Sequence, residues 1–187
     1  MTSQSLLAEI IRSRRTIRHF NAENVSISTL KHIFELATFA PFHKKEEPWR
    51  LILIHGEGKE RLIQTVIQSL TLMEAPEATI KAYTSYLRTI SAFTLVIMEE
   101  SESKRQWEDD LCATATLIQN IQLLAWEQQI GMVWKSFNTE ETHPLKAHFD
   151  IGENEKIVGL LLIGHFDKIP SVKQRKPLEE ILTVIEK

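Results

Sequence analysis

The sequence predicts one domain of mixed helix and strand arranged in layers, on three observations. Its 187 residues leave room for one substantial core and little more. Four short apolar stretches, at residues 49–54, 92–98, 132–136 and 156–165, have the length and composition of strands. Longer stretches with helical spacing lie between them. Such interleaving suits a wound parallel sheet, but the unequal intervals between the strands fit an α+β layer design as well.

Residues 3–14 read as an amphipathic helix with Leu6, Leu7, Ile10 and Ile11 on one face. It delivers a basic run that Phe20 and Asn21 close. Ser26 and Ser28 offer caps for a second helix, with a core face of Leu30, Ile33, Phe34, Leu36 and Ala37 and a stop at Pro41. Residues 42–47 are too polar for a core, and Pro48 forces an extended entry into the first strand. Gly56 and Gly58 then turn the chain into a helix over 59–73, and another helical stretch follows Pro76. Residues 92–98 are continuously apolar and partly β-branched, which marks a strand covered on both faces and therefore central. A long helix over 107–129 spreads Cys112, Ala113, Ala115 and Ala125 among Leu117, Ile118, Ile121 and Leu124. So broad an apolar surface predicts a buried helix, Cys112 included. Gly131 ends it before the strand at 132–136. A short helix over 144–149 stops near Gly152, and residues 178–185 close the chain as a helix. Before that helix, residues 167–177 carry Lys168, Lys173, Arg175 and Lys176.

Charge and composition exclude several classes. Lys and Arg number 22 against 25 Asp and Glu, a net charge of -3, so no global basic field advertises nucleic acid or an anionic membrane. The single cysteine cannot form an internal disulfide and no leader pattern opens the chain, so the cytoplasm is the expected compartment. The longest apolar stretches, such as 159–164, are too short to span a bilayer. No glycine-rich phosphate loop, zinc-ligand spacing or nucleophile elbow around Ser136 is present, and His143 and His148 read as surface residues.

What remains is local. Arg14-Arg15-Thr16-Ile17-Arg18-His19-Phe20 places three guanidiniums and a hydroxyl in five positions, a set able to receive a phosphate monoester through bidentate hydrogen bonds. The same run also suits a solvated face, or cations favoured at the end of the preceding helix. Both readings stay open on these residues alone.

The order of features resembles the FMN-dependent nitroreductase family. Four blocks carry the likeness. The first, residues 14–20, is similar to the family's Arg-Arg-Ser-x-Arg-x-Phe opening, and the second, Ala40-Pro41 through Glu47-Pro48-Trp49-Arg50, is similar to its loop before Pro-Trp-Arg. The third is Gly131-Met132-Val133-Trp134-Lys135-Ser136 after the long helix, and the last joins 157–164 to Arg175-Lys176-Pro177-Leu178-Glu179-Glu180. The resemblance implies a three-layer α+β fold with a mainly antiparallel sheet flanked by helices, in an intertwined homodimer. It implies FMN as cofactor and NADH or NADPH as co-substrate. Hydride would pass through flavin N5 to an electron-poor acceptor, a nitroaromatic, quinone or enone, with no side-chain acid or nucleophile.

By the same resemblance, Arg14 and Thr16 bind the FMN phosphate and ribityl end with Arg15 nearby, and Arg175 returns to the phosphate. Arg18 takes the pyrimidine edge, where a positive charge favours reduced flavin. Trp134, Lys135 and Ser136 run against the flavin, and the stretch 64–88 makes the substrate face. Phe42, Lys45 and Glu47 depart from the family's usual Ser, Asn and Gln. Ala40-Pro41-Phe42-His43-Lys44 instead fits a subgroup in which His43 contacts the flavin, while Trp49 packs the core. A flavin-binding sensor or carrier without turnover is the rival expectation.

Overall fold

The computed structural model describes residues 5–43, 46–137 and 139–186, without the side chains of residues 139–141. Lys44, Lys45 and the first residues of the expected N-terminal helix lie outside the described residues. The elements are α1 (Leu6–Ser13), α2 (Ile27–Ala37), β1 (Trp49–His55), α3 (Gly58–Leu72), α4 (Glu77–Arg88), β2 (Ala92–Glu99), α5 (Lys104–Glu127), β3 (Gly131–Lys135), α6 (Thr139–His148) and β4 (Glu155–Gly164). One 3-10 turn, Leu178–Glu180, follows.

The four strands form one sheet in the order β1-β2-β4-β3, and every neighbouring pair is antiparallel. The parallel alternative is thereby set aside, and the architecture is α+β. Ala92 to Met98 in β2 are all buried, because this strand is flanked by β1 and β4 and covered on both faces. Period-two alternation divides the core. Val96, Met98, Leu161 and Ile163 pack with Leu30 of α2 and Leu117 and Ile121 of α5. Phe93, Leu95, Leu160 and Leu162 pack on the other face with Leu62 of α3, Leu87 of α4 and Leu145 of α6. Between β2 and β4, Val96 faces Gly159 and Ile97 faces Ile157, which leaves Val158 as the extra residue of a bulge.

Several expectations need correction. Helix α5 starts at Lys104 rather than 107, because Ser103 caps it by accepting from the Gln106 N–H at 3.4 Å. Its buried stripe runs through Ala113, Thr114, Leu117, Ile118 and Ile121. Cys112 lies one step of about 100° away from Ala113 and is exposed, not buried. Leu36 is 40% exposed, off the Leu30, Ile33, Phe34, Ala37 stripe that α2 presents to α5. Helix α6 starts at Thr139 and contains Pro144 instead of beginning there. The strand β3 ends at Lys135, so Ser136 stands just past it. The expected helix over 178–185 reduces to the single 3-10 turn. Leu178, Ile181, Leu182 and Ile185 have helical spacing but are all exposed, so no packing supports a helix that short.

An ion pair ties the β1 edge to the start of β4. Arg50 donates through Nη2 to Glu155 Oε2 at 2.7 Å and through Nε to Oε1, and the Gly152 N–H donates to Oε2 at 2.6 Å. The Arg50 hydrogen bond, helped by the Gly152 N–H and the charges of Arg50 and Lys146, holds the Glu155 carboxyl below its ordinary value against desolvation. A depressed folded pKa gives stability that is present above the unfolded value of about 4.3 and is lost as pH falls through the lower folded value. Thermal melts from about pH 7 to about pH 3 should therefore show Glu155→Gln less stable near neutrality by about 1 kcal/mol or less. The difference should narrow as pH falls through the lowered folded value.

Candidate functional site

The site begins where α1 stops. The Arg14 N–H makes the last helical bond, to Ile10 O at 2.9 Å, and Arg14 then turns extended at φ -53°, ψ 133°. Arg15 holds that end: its Nη1 donates to the carbonyls of Arg12, Ser13 and Arg14 at 2.9, 2.8 and 2.8 Å. A cation on exposed helix carbonyls is favourable on dipole grounds. So the helix-end reading of the basic run holds for Arg15, whose Nη1 is already engaged by these carbonyls.

Beyond it the chain runs as a short ribbon beside β3. Thr16 bridges Met132 in parallel, with the Ile17 N–H donating to Met132 O at 3.0 Å. Ile17 is 1% exposed and lies so close over Gly131 that a Cβ there would come within 2.7 Å of it. Phe20 lies as closely over Gly164, where a Cβ would meet its ring at 2.8 Å. Two glycines thus let the ribbon lie flat on the sheet edge. With Ile17 turned inward, extended alternation puts Arg14, Thr16 and Arg18 on the opposite side, with about 13 Å of ribbon from Arg14 to Arg18.

At the Arg14 end a third guanidinium arrives from the far end of the sequence. Burial first, then the charges of Arg15 and Arg175, hold the Arg14 pKa below its ordinary value. Arg175 therefore stands within electrostatic reach of Arg14, although 161 positions separate them in sequence. Among the described residues none of these three arginines is ion-paired with a carboxylate. Like charges gathered and partly desolvated without a counter-ion are unfavourable until an anion joins them. The donor set fits a phosphate monoester.

The other end of the ribbon is aromatic. Trp134 is 39% exposed and donates through Nε1 to Val158 O, the bulge carbonyl, at 3.3 Å. Its indole lies directly over Gly159, where any Cβ would collide with it. Lys135 is half-buried and donates through Nζ to the Tyr83 hydroxyl. Ser136 is exposed beside them. Tyr83 stacks on Tyr86 with centroids 6.0 Å apart. Burial, then the neighbouring Tyr83, raises the Tyr86 pKa, while the charge of Arg18 lowers it, so Arg18 reaches this same corner. Tyr83 and Tyr86 were missed in the sequence reading, which took 64–88 only as a variable stretch. The available signal was the spacing of Ala78, Thr79, Ala82, Tyr83 and Tyr86 on one face of α4, away from the buried Thr84 and Leu87.

His43 is not brought to this site within one chain. It is exposed on the loop before β1, and its neighbour Phe42 is fastened edge-on to Trp49 with centroids 5.6 Å apart. Trp49 is level with Met98 and Lys156, whereas Thr16 is level with Met132 and Ile163. The two therefore occupy diagonal corners, about 19 Å apart across the sheet and about 20 Å along it.

Among the described residues no cluster of His, Cys, Asp and Glu could hold a metal ion. No helix among them is long and apolar enough to cross a membrane. The model of the nitroreductase family matches residues 11–165, a span that includes the ribbon, all four strands and α4. The chain is 38% identical over 182 residues to YfhC of Bacillus subtilis strain 168, a protein whose name gives it provisionally as an NAD(P)H nitroreductase; the match covers 96% of this chain and 94% of that one. A crystal structure of a nitroreductase-like family protein from Bacillus cereus superposes with a TM-score of 0.91 at 35% identity, covering 100% of this chain and 99% of that one. A structure from Desulfovibrio desulfuricans, solved in complex with FMN, shares the fold at a TM-score of 0.72 and 22% identity, with 96% of each chain covered. With residues 11–165 matched and a relative of this identity aligned almost end to end, the chain belongs to the nitroreductase family.

Proposed function

We propose that the protein is an FMN-dependent oxidoreductase that takes a hydride from NADH or NADPH and passes it to a flat electron-poor acceptor, a nitroaromatic, quinone or enone, in a ping-pong sequence. The observation that carries this reading is the gathering of Arg14, Arg15 and Arg175 with no carboxylate ion-paired to them among the described residues. The nicotinamide in the name of the Bacillus relative and the FMN in the Desulfovibrio structure support it. We read residues 1–187 as one domain, working in the cytoplasm.

FMN, when bound, supplies the two-electron chemistry. The chain's residues bind and orient. Arg14 and Arg175 take the phosphate as charged, fork-shaped donors, with Thr16 beside them and Arg15 fixing the turn. Arg18, about 13 Å further along the ribbon, sits where positive charge at the pyrimidine edge favours the reduced state. Trp134, Lys135 and Ser136 would lie along the ring, and the open face of α4 would admit two flat ligands in turn.

The reading also calls for a homodimer. His43 and Arg14 can meet one flavin only if a second copy brings its His43 corner to this chain's Arg14 corner, which a two-fold axis does twice over. Leu6, Leu7 and Ile11 on α1, and Ile169, Val172, Leu182 and Ile185 near the C-terminus, are exposed apolar side chains that such a partner would cover.

Anaerobic mixing with NADPH, and separately with NADH, tests the activity. Loss of the flavin absorbance is expected with at least one of them. A yellow protein that bleaches with neither is a carrier or sensor, and the reductase reading fails. His43→Ala is expected to weaken flavin affinity or slow turnover by roughly tenfold, the loss of about one hydrogen bond, with an unchanged circular dichroism spectrum. Native kinetics would remove His43 from the site.

A further inference from the structure

Tyr83 has a neighbour that flavin binding alone does not explain. Its phenolic oxygen accepts a hydrogen bond from Lys135 Nζ, whose nitrogen lies 4.7 Å from the ring centroid. An ammonium bonded to the oxygen at that distance stands beyond the hydroxyl edge, not over the ring face. Because one lone pair is occupied by the lysine, the phenol's own O–H is turned away from it, free to donate to a third atom. Tyr86 stacks alongside at an interplanar angle of 29°, and its hydroxyl, with the pKa raised mainly by burial, stays a neutral donor. Both rings stand on an open face of α4 whose other residues are small, Ala78, Thr79 and Ala82. Arg18 adds its charge to the same corner.

We infer that Tyr83, anchored by Lys135 and stacked on Tyr86, donates a hydrogen bond to the acceptor oxygen on which negative charge develops. The site then favours acceptors in which a nitro or carbonyl oxygen is conjugated with the atom being reduced, over haloaromatics that lack such an oxygen. The inference rests on the flavin reductase reading. A donor aimed at developing charge acts mainly in the transition state, so its loss is read in the rate of flavin re-oxidation.

The experiment uses the FMN-loaded protein with its flavin reduced under anaerobic conditions by light with excess EDTA as the electron donor, so that no nicotinamide is needed. The reduced protein is mixed with nitrobenzene or with ferricyanide, an outer-sphere oxidant that requires no contact with Tyr83. Tyr83→Phe keeps the stacked ring and removes only the donor. It is expected to slow re-oxidation by nitrobenzene roughly tenfold or more, with the ferricyanide rate held within about twofold. Lys135→Met, which keeps the phenol but frees it, is expected to lower the same ratio of rates. An unchanged ratio in Tyr83→Phe overturns the inference and leaves the reductase reading standing. A wild type that re-oxidises with ferricyanide but never with nitrobenzene, 1,4-benzoquinone or an enone overturns both.

Discussion

Arg14→Ala is expected to strip the protein of flavin and at the same time make the empty protein slightly more stable. The two signs come from one arrangement. A bidentate charged contact to phosphate is worth about 2–3 kcal/mol, so its removal should weaken FMN binding by roughly thirtyfold to a hundredfold or more. Yet in the absence of an anion the Arg14 guanidinium is partly buried among the charges of Arg15 and Arg175, which is what holds its pKa down. Removing it relieves that repulsion. Flavin content after dialysis, titration of the apoprotein and its thermal melt check the three parts. Arg14→Lys should retain part of the affinity, since a point charge remains but the fork does not. An Arg14→Ala protein that keeps its flavin and melts at a lower temperature would show that Arg14 serves the fold instead.

Gly159→Ala should disturb the other end of the site while the sheet survives. A methyl group at 159 runs into the Trp134 indole and meets Lys135 O at 3.0 Å. The indole must leave, with loss of its bond to Val158 O. Overpacking of this kind costs about 1–3 kcal/mol, a drop of several degrees in Tm for a chain of this size. The ladder between β2 and β4 is made by backbone groups and should persist, so the far-ultraviolet spectrum is expected to hold. Tryptophan emission should shift to the red and flavin affinity should fall. Unchanged emission would mean that Trp134 adjusts in place and that Gly159 is dispensable.

Both predictions depend on residues whose placement was legible to different degrees. The burial of Ala92 to Met98 followed from an uninterrupted apolar run, because only a strand covered on both faces can afford one. The ribbon 14–18 was legible as chemistry. Its partner Arg175 was suggested by resemblance alone, since periodicity says nothing about a contact across 161 positions. Cys112 shows the limit of a helical pattern. On α5, where small and apolar residues extend beyond the buried face, spacing identifies the buried stripe only once the neighbours are known, and Cys112 falls just outside it. The 178–185 stretch shows the converse. Its spacing is helical, but a segment this short takes its stability from a surface to pack on, and its apolar side chains are exposed. Tyr83 and Tyr86 were hidden because a half-exposed aromatic on a helix face has no signature until a strand end such as Lys135 reaches it.

The strand order has a consequence for how the molecule is made. No two adjacent strands are joined by a tight turn: β1 and β2 are separated by two helices, and β2 waits for β4 past α5, β3 and α6. During synthesis the Arg14 ribbon emerges early but has nothing to lie on until Met132 has left the ribosome, and its third cation follows only with Arg175. A nascent polypeptide that stops short of Arg175 therefore lacks the set of cations proposed to receive the nucleotide phosphate. The complete cation set, on this account, forms only after Arg175 has been synthesised.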